Sequence, residues 1–479
     1  MRLALRKIAE ILGSRHPASG RVAQGYSIDS RRIEREQLFF AIRGRRFDGH
    51  EFVPDVLERG AAGAVVERKF WENSSPEIRE SIIPVQDTTE ALQRLARGVR
   101  RLWGGRVVAI TGSMGKTTTK EMIAALLASR FSVLKSRGNL NNFYGLPLAL
   151  LDLEASHEVA VVELAMSAPG EIARLAEIAE PDVGVVTNVA PAHLQFFDSV
   201  DLIAEAKREL IEDLNARRGS GIAVLNFDDE RVRKFEDGFD GIVLTFGLGD
   251  GAMFRATEVQ RCAAGGSSFR VKGPNMEAEF ALPLPGVHNV ENALAAVAAA
   301  SVFEVPVRSL QETLGSFKNL SQRGEILTLG DNILVLDDGY NSNPRAMERM
   351  IEMLAGWAGA KRRIAVAGEM LELGPTSPEL HRKVGRKLAE TGIDRLIAVQ
   401  GDARFFLEGA LEAGLDRGRA VFFPDASAAG KYCQTLLKAG DVVLVKGSRG
   451  VNLEKVIELL RSSLSSRSGV CSEISGKMV

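Results

Sequence analysis

A chain of 479 residues exceeds what one hydrophobic core serves, and at roughly 100–200 residues per domain it divides into three. With 45% apolar and 26% charged residues, each part can bury a full core. Lys and Arg (61) nearly balance Asp and Glu (62), which excludes a broad nucleic-acid-binding basic surface and an acidic tail.

The three cysteines, Cys262, Cys433 and Cys471, are far apart and match no metal spacing, as in a reducing compartment. Arg6, Lys7 and Glu10 interrupt the apolar stripe of the first residues, so no signal-peptide core forms. The longest near-apolar stretch, Ala293 to Phe303, is too short to span a bilayer. The reading is a cytoplasmic protein without a membrane span.

In chain order, residues 1–103 open with a helix over Leu3–Leu12. Alternation predicts a strand at Ser27–Ile33, the LFFAI run predicts another, and Glu51–Arg59 has helical spacing. Ser30, Arg31 and the turn Asp48-Gly49-His50 gather a hydroxyl, a guanidinium and backbone donors in loops. That mix suits a diphosphate or a nucleobase edge, and equally a solvated surface loop. Trp103-Gly104-Gly105-Arg106 reads as the hinge into a second unit, 104–318.

This unit alternates strand and helix. Val107–Ile110, Ser132–Lys135, Glu158–Glu163, Val183–Thr187 and Ile222–Leu225 read as strands of a mostly parallel sheet, with helices on both faces. Residues 252–282 look antiparallel, and GVHNVENALAAVAAA begins a helix. The third unit, 319–461, alternates again, with strands at Ile333–Asp337, Ile364–Ala367, Leu396–Val399 and Val442–Val445. It reads as Rossmann-like, although it lacks a G-x-G-x-x-G signature. Residues 462–479, Ser-rich and aperiodic, are expected to be disordered. The fold class is therefore α/β with three domains.

The chemistry concentrates after the first strand of the second unit, in ITGSMGKTTTKEM. Gly112 and Gly115 let backbone approach a ligand, and Gly112-Ser113-Met114-Gly115-Lys116-Thr117-Thr118 leads into a helix whose first N–H groups attract anions. Ile110 stands where the usual phosphate loop has its first glycine, so this is a shorter form of that motif. The plain alternative is a Gly-Ser turn before a helix with an exposed lysine. Lys116 supplies charge for the outer phosphates of a nucleoside triphosphate, and Thr117 is placed to ligate Mg²⁺. Open parallel sheets bind ligands at the carboxyl ends of their strands, where Glu163 makes a second Mg²⁺ ligand. His193 reads either as a ligand of a second metal or as a satisfied loop histidine. Lys207, in DLIAEAKRELIEDL, reads from spacing as an exposed helix lysine beside Glu205 and Glu209.

Taken together, ITGSMGKTTTKEM, GNLNNFYGLPLALL, VVELAMSAPGEI, VVTNVAPAHLQFF, AEAKRELI, PGVHNVENALAA, SQRGEI, DDGYNSNP, AGEMLELG and VKGSRG resemble the Mur ligase family, from about Ser27 to Asn452. The resemblance implies a UDP-binding domain, a central ATPase domain and a C-terminal domain that closes on the nucleotide. It implies an ATP-dependent amide ligase with UDP-N-acetylmuramoyl-tripeptide and D-alanyl-D-alanine as substrates, acting as a monomer. It also implies two Mg²⁺ ions, with Lys207 carbamylated by CO₂ and His193 beside it at the second ion. Asn292 then meets adenine, and Asp338 with Asn341 the ribose and phosphates. Arg323 lies near the nucleotide at the domain junction. Ser30 and Arg31 serve UDP; Asn139, Asn141 and Asn142 the muramoyl-peptide; Lys446, Ser448 and Arg449 the incoming dipeptide.

The sequence departs from the family pattern at Leu164-Ala165, Ser167 and Phe143, and at Glu36, where a glycine is usual. A relative adding a different amino acid, folylpolyglutamate synthase, a phosphate-loop kinase and a non-catalytic UDP-sugar-binding scaffold are the alternative readings.

Overall fold

The computed structural model describes all residues except 15–19, 45, 192–193, 218–220, 263–265, 319–321 and 471–479. Among the described residues three main sheets form. The first is parallel throughout, in the order Gly25–Ser27, Gln37–Phe40, Gly63–Glu67 and Ile82–Val85. The strand expected over Ser27–Ile33 stops at Ser27. Asp29 ends it: its carboxylate accepts from the Arg31 backbone N–H, while its own N–H donates to Ser27 Oγ, a local turn that competes with extended chain. Glu36, at the glycine position of the pattern, adopts φ +63°. Backbone bonds to Gln24 and Gly60 hold it in this left-handed conformation, which an L side chain visits at a cost of about 1–2 kcal/mol.

The central sheet runs in the spatial order Met276–Leu282, Ser267–Gly273, Phe254–Arg261, Ile242–Gly247, Ile222–Asn226, Val183–Val186, Arg106–Thr111, Val159–Glu163, Val133–Lys135. Neighbours are parallel from Val133–Lys135 through to Phe254–Arg261, and the last two pairings are antiparallel hairpins. The inner parallel strands, at 107–110, 159–162, 183–186 and 223–225, are apolar on both faces, as burial under helices on either side requires. Arg106–Thr111 lies between Val159–Glu163 and Val183–Val186, so the segments leaving all three strands emerge along one edge.

The third sheet has Glu325–Leu329 antiparallel at its edge, then Ile333–Asp338, Asp441–Lys446, Arg362–Gly368, Arg395–Val399 and Ala420–Phe423, all parallel. Its two faces carry separate apolar clusters, one around Leu336, Ile351, Val384 and Phe406, the other around Val335, Val366, Val443 and Leu460. The first and second units share one cluster, which runs from Leu5 and Leu95 to Leu150, Leu175 and Leu210. The helix Thr88–Trp103 carries this continuity, capped by Asp87 on the Glu90 N–H and ended by Gly104 at φ +73°. The expected hinge is therefore a helix stop, and Trp103 Nε1 donates to the His157 carbonyl at 2.9 Å.

Among the described residues, polar contacts between the third unit and the second include Arg349 with Glu291 at 2.9 Å, the Gln195 N–H to the Glu372 carbonyl, and Arg261 to the Gly356 carbonyl with its guanidinium over Trp357. Polar contact between separately cored bodies is the form expected where domains move. The closing helix, Glu454–Val470, runs nine residues past Arg461 into the stretch expected to be disordered; the remainder of that stretch lies outside the described residues. No helix among the described residues is long and apolar enough to cross a membrane.

Candidate active site

The phosphate loop turns at Gly112 (φ +145°) and Gly115 (φ +79°), and neither position has room for a side chain. A Cβ on Gly112 would lie 1.9 Å from Thr187 Oγ1, and one on Gly115 2.3 Å from Asn292 Oδ1. The loop is braced by the segment leaving the neighbouring strand. The Ser113 N–H donates to the Asn188 carbonyl and the Met114 N–H to Asn188 Oδ1, while Thr187 Oγ1 donates to the Met114 carbonyl. Ser113 Oγ donates to the Ala190 carbonyl and accepts from its N–H. Thr187 and Asn188 were not singled out from sequence; their signal was a Thr-Asn pair at the end of an apolar strand.

Beyond Gly115 the helix Lys116–Ala128 begins, and its first N–H groups have no partner within the helix, which makes an anion site. Lys116 is half-buried, with Nζ 2.7 Å from the Gly112 carbonyl. Burial lowers its pKa; Glu163 acts in the opposite direction, and Arg323 adds to the lowering. Thr117 Oγ1 donates to Glu163 Oε2 at 2.7 Å, and Asn141 Nδ2 donates to Glu163 Oε1 at 2.9 Å. Neighbouring oxygens around an octahedral Mg²⁺ lie about 3 Å apart, so the Thr117–Glu163 pair fits shared ligation with a shift of a few tenths of an ångström. Among the described residues no three His, Cys, Asp or Glu side chains converge as a metal cluster. One carboxylate beside a phosphate site accords with Mg²⁺, which keeps most of its ligands as water and phosphate. His193 lies outside the described residues.

Lys207 is not an exposed helix lysine. It is 2% exposed, on the buried stripe of Val200–Ala216 with Ile203, Leu210, Ile211 and Leu214. Its distances in sequence from those residues, four, three, four and seven, already put it on the apolar face, and the flanking glutamates masked that signal. Burial and the nearby Lys116 charge push its pKa well below the ordinary lysine value. The second flanking residue, Glu209, accepts from the Gly170 and Ala173 N–H groups and so caps the helix Glu171–Ala179.

Asn292 accepts from Thr119 Oγ1 and donates to Asn289 Oδ1, which places it against the phosphate loop. Arg323 lies over the Tyr340 ring, 4.0 Å from its centroid, and Arg449 is 5.0 Å from the same ring. Lys446 is 1% exposed and committed within its own domain, with Nζ donating to Asp338 Oδ2 at 2.6 Å and to the Asn341 carbonyl at 2.9 Å. It therefore orders the Asp338–Asn341 segment. Ser448 is buried with its hydroxyl on the Leu371 N–H, and Arg449 is exposed. With Asn341, Leu371, Leu373 and the phosphate-loop Ser113 they border a cavity of about 150 Å³ between the two domains.

A second cavity, about 310 Å³, adjoins Asn141 and Asn142 and is walled by Phe143, Tyr144, Met166 and Leu175. Phe143, Ala165 and Ser167, three of the departures from the family pattern, line it. Asn142 also accepts from the Gly145 N–H at the start of Gly145–Leu151, and Asn139 is exposed.

In the first domain the loops carrying Ser30–Arg31 and Asp48–His50 follow neighbouring parallel strands. Arg31 is exposed and paired with Asp29 at 2.9 Å, while the Ser30 carbonyl accepts from Arg59. His50 is buried with both ring nitrogens engaged, Nδ1 on Asp48 at 2.6 Å and Nε2 accepting from the Glu67 N–H. It holds the turn in place, and the Ser30 hydroxyl, Arg31 and the backbone remain groups that can meet a ligand.

Gly115→Ala is expected to raise KM for ATP about ten-fold or more, because an L side chain at φ +79° is strained by about 1–3 kcal/mol and also meets Asn292. Steady-state kinetics at varied ATP check it; an unchanged KM would contradict the loop geometry.

Three family models match in order: the Mur ligase family catalytic domain at 23–100, the Mur ligase middle domain at 110–300, and the Mur ligase glutamate ligase domain at 322–449. The UDP-N-acetylmuramoyl-tripeptide–D-alanyl-D-alanine ligase of Bacillus subtilis is 34% identical over 93% of this chain and 94% of its own. Among solved structures, MurF from Acinetobacter baumannii superposes with a TM-score of 0.86 at 30% identity, covering 96% of this chain and 99% of that one. MurF ligase from Thermotoga maritima, solved in complex with ADP, gives a TM-score of 0.82 at 31% identity, over 93% and 99% of the two chains.

Proposed function

The chain belongs to the Mur ligase family, and from that premise we propose that it joins D-alanyl-D-alanine to UDP-N-acetylmuramoyl-tripeptide at the expense of ATP, in the cytoplasm and as a monomer. The observation that carries this reading is the pairing of Thr117 with Glu163 at the mouth of a phosphate loop that faces a second domain across a ligand-sized cavity. In the proposed arrangement residues 1–103 hold the UDP moiety through Ser30, Arg31 and the Asp48–His50 turn. Residues 104–318 hold ATP, and 319–461 bring the amine.

A carboxylate does not condense with an amine in water, so the acid must first be activated. The terminal carboxylate of the tripeptide, placed near Asn141 and the larger cavity, attacks the γ-phosphorus of ATP. ADP leaves and an acyl-phosphate forms. The dipeptide amine then attacks the acyl carbon, the nitrogen loses a proton, and inorganic phosphate departs. No protein side chain becomes covalently attached; positioning and electrostatics do the catalysis.

Lys116 holds the transferring phosphoryl group, and the first N–H groups of its helix hold the remaining phosphates. Asn292 and Arg323 position the nucleotide from either side, with Asp338 and Asn341 ordered by Lys446. Thr117 and Glu163 would hold one Mg²⁺, and His193 with a carbamate on Lys207 a second; when bound, the ions offset phosphate charge. The low pKa of Lys207 favours the neutral amine, which is the form that attacks CO₂. The nitrogen loses a proton as it adds to CO₂, and the resulting carbamate would supply an anionic oxygen ligand where the neutral amine stood.

Phosphate release with a panel of amino acids and dipeptides tests the reading. The expected result is release that requires both the tripeptide substrate and D-alanyl-D-alanine. Equal or faster release with a single amino acid would assign the chain to another ligase of the family.

A further inference from the structure

We infer that Ser342 reads the terminal alanyl residue of the acceptor, in the cavity between the phosphate loop and the third domain; the inference rests on the dipeptide ligation proposed above. Ser342 lines that cavity, is 5% exposed, and has a hydroxyl with no hydrogen-bond partner among the described residues. A buried hydroxyl left unpaired is costly, so an orphan in a cavity wall points to a ligand.

The neighbouring polar side chains are already committed. Asp338 is held by Lys446, Asn341 Oδ1 accepts from the Ser342 N–H, and Asn343 Oδ1 caps the helix Pro344–Ala355. Across the cavity Ser448 Oγ accepts from the Leu371 N–H. In this wall Ser342 is the hydroxyl not spent on holding the chain.

The other walls define what the ligand must be. Arg449 offers a guanidinium, which suits a carboxylate, and Leu371 and Leu373 offer apolar surface, which suits a methyl group; Glu372 also lines the cavity, so the carboxylate belongs at the Arg449 end. The volume, about 150 Å³, matches a space that holds a benzene-sized guest. It takes one alanyl residue with its carboxylate, and the amino-terminal residue is assigned to the side of the acyl-phosphate. Specificity for a short, unbranched, acid-terminated acceptor follows.

The test is Ser342→Ala in the full-length enzyme, with D-alanyl-D-alanine and its C-terminal amide as acceptors. We expect KM for the dipeptide to rise about ten-fold, the loss typical of a hydrogen bond to a charged group. KM for ATP and for the UDP-tripeptide should stay within two-fold, as should the melting temperature within about a degree. The preference of the wild type for the acid over the amide should narrow in the variant, and Ser342→Thr, which keeps a hydroxyl, should recover most of the affinity. A folded Ser342→Ala enzyme with unchanged acceptor KM and unchanged preference for the acid overturns this assignment alone. A wild type that forms no amide with the dipeptide overturns the proposed ligation and this assignment together.

Discussion

Lys116→Ala is expected to lower kcat by about 10²-fold or more, with the protein still folded. The lysine is at the first position of the phosphate-loop helix, and its Nζ rests on the Gly112 carbonyl. In the free protein it stabilises little beyond its own loop, since Gly112 and Met114 are fixed by Thr187 and Asn188. Its contribution is therefore concentrated on the transferring phosphoryl group, where charge grows in the transition state. Lys116→Arg should not restore turnover, because a planar fork cannot replace a point charge in a loop this closely packed. Steady-state phosphate release with a melting curve alongside checks the expectation; near-normal turnover by a folded variant would remove Lys116 from the mechanism.

The second large effect is expected at Lys207. Lys207→Ala should lose about 10²-fold or more in activity, since even outer-shell partners of metal sites typically account for 10–100-fold. Small carboxylates such as acetate should restore part of it by supplying the missing anionic oxygen. Intact-mass and peptide spectra of the wild type, taken without acid, should show one added CO₂ on Lys207. The pH dependence has a definite sign: as pH falls the amine protonates, CO₂ no longer adds, and activity that depends on bicarbonate falls with it. The lowered pKa moves that loss to lower pH than an ordinary lysine would show. Full activity of Lys207→Ala, with no response to carboxylates, would leave Lys207 as a buried structural lysine, comparable to Lys120. That residue is 0% exposed and donates to the Ser136 carbonyl.

The parts of this site written locally were legible in the chain. Strand, glycine turn and helix start at Val107–Met122 are fixed by their own sequence, because backbone approach to phosphate admits few alternatives. Glu163 followed from its place at the end of an apolar strand in a parallel sheet. What depended on packing between distant segments was not legible. From spacing alone Lys207 reads as exposed because its charged neighbours outweigh the apolar stripe it shares with Ile203, Leu210 and Leu214. The bracing by Thr187 and Asn188 needs strand neighbours 76 residues apart in sequence. The resemblance places Lys446 with Ser448 and Arg449 in one loop, and only the folded chain shows its ammonium on Asp338. In the first domain Ser27–Ile33 alternates like a strand, yet the Asp29 turn competes at shorter range and wins.

The arrangement also accounts for how one chain keeps activation and capture in sequence. In the proposed arrangement the phosphate loop and Glu163 belong to the first two domains, which share a core, while the third domain completes both the nucleotide site and the acceptor cavity. Closure would then bring the amine to the acyl-phosphate and exclude water from it.

The central claim is tested most directly with a UDP-N-acetylmuramoyl-tripeptide labelled with heavy oxygen on its terminal carboxylate, incubated with ATP and D-alanyl-D-alanine and followed by mass spectrometry. The predicted result is one new amide per ADP, with a single labelled oxygen carried into the released phosphate. Unlabelled phosphate, or ATP consumption without any amide product, would contradict activation of the acid by phosphoryl transfer.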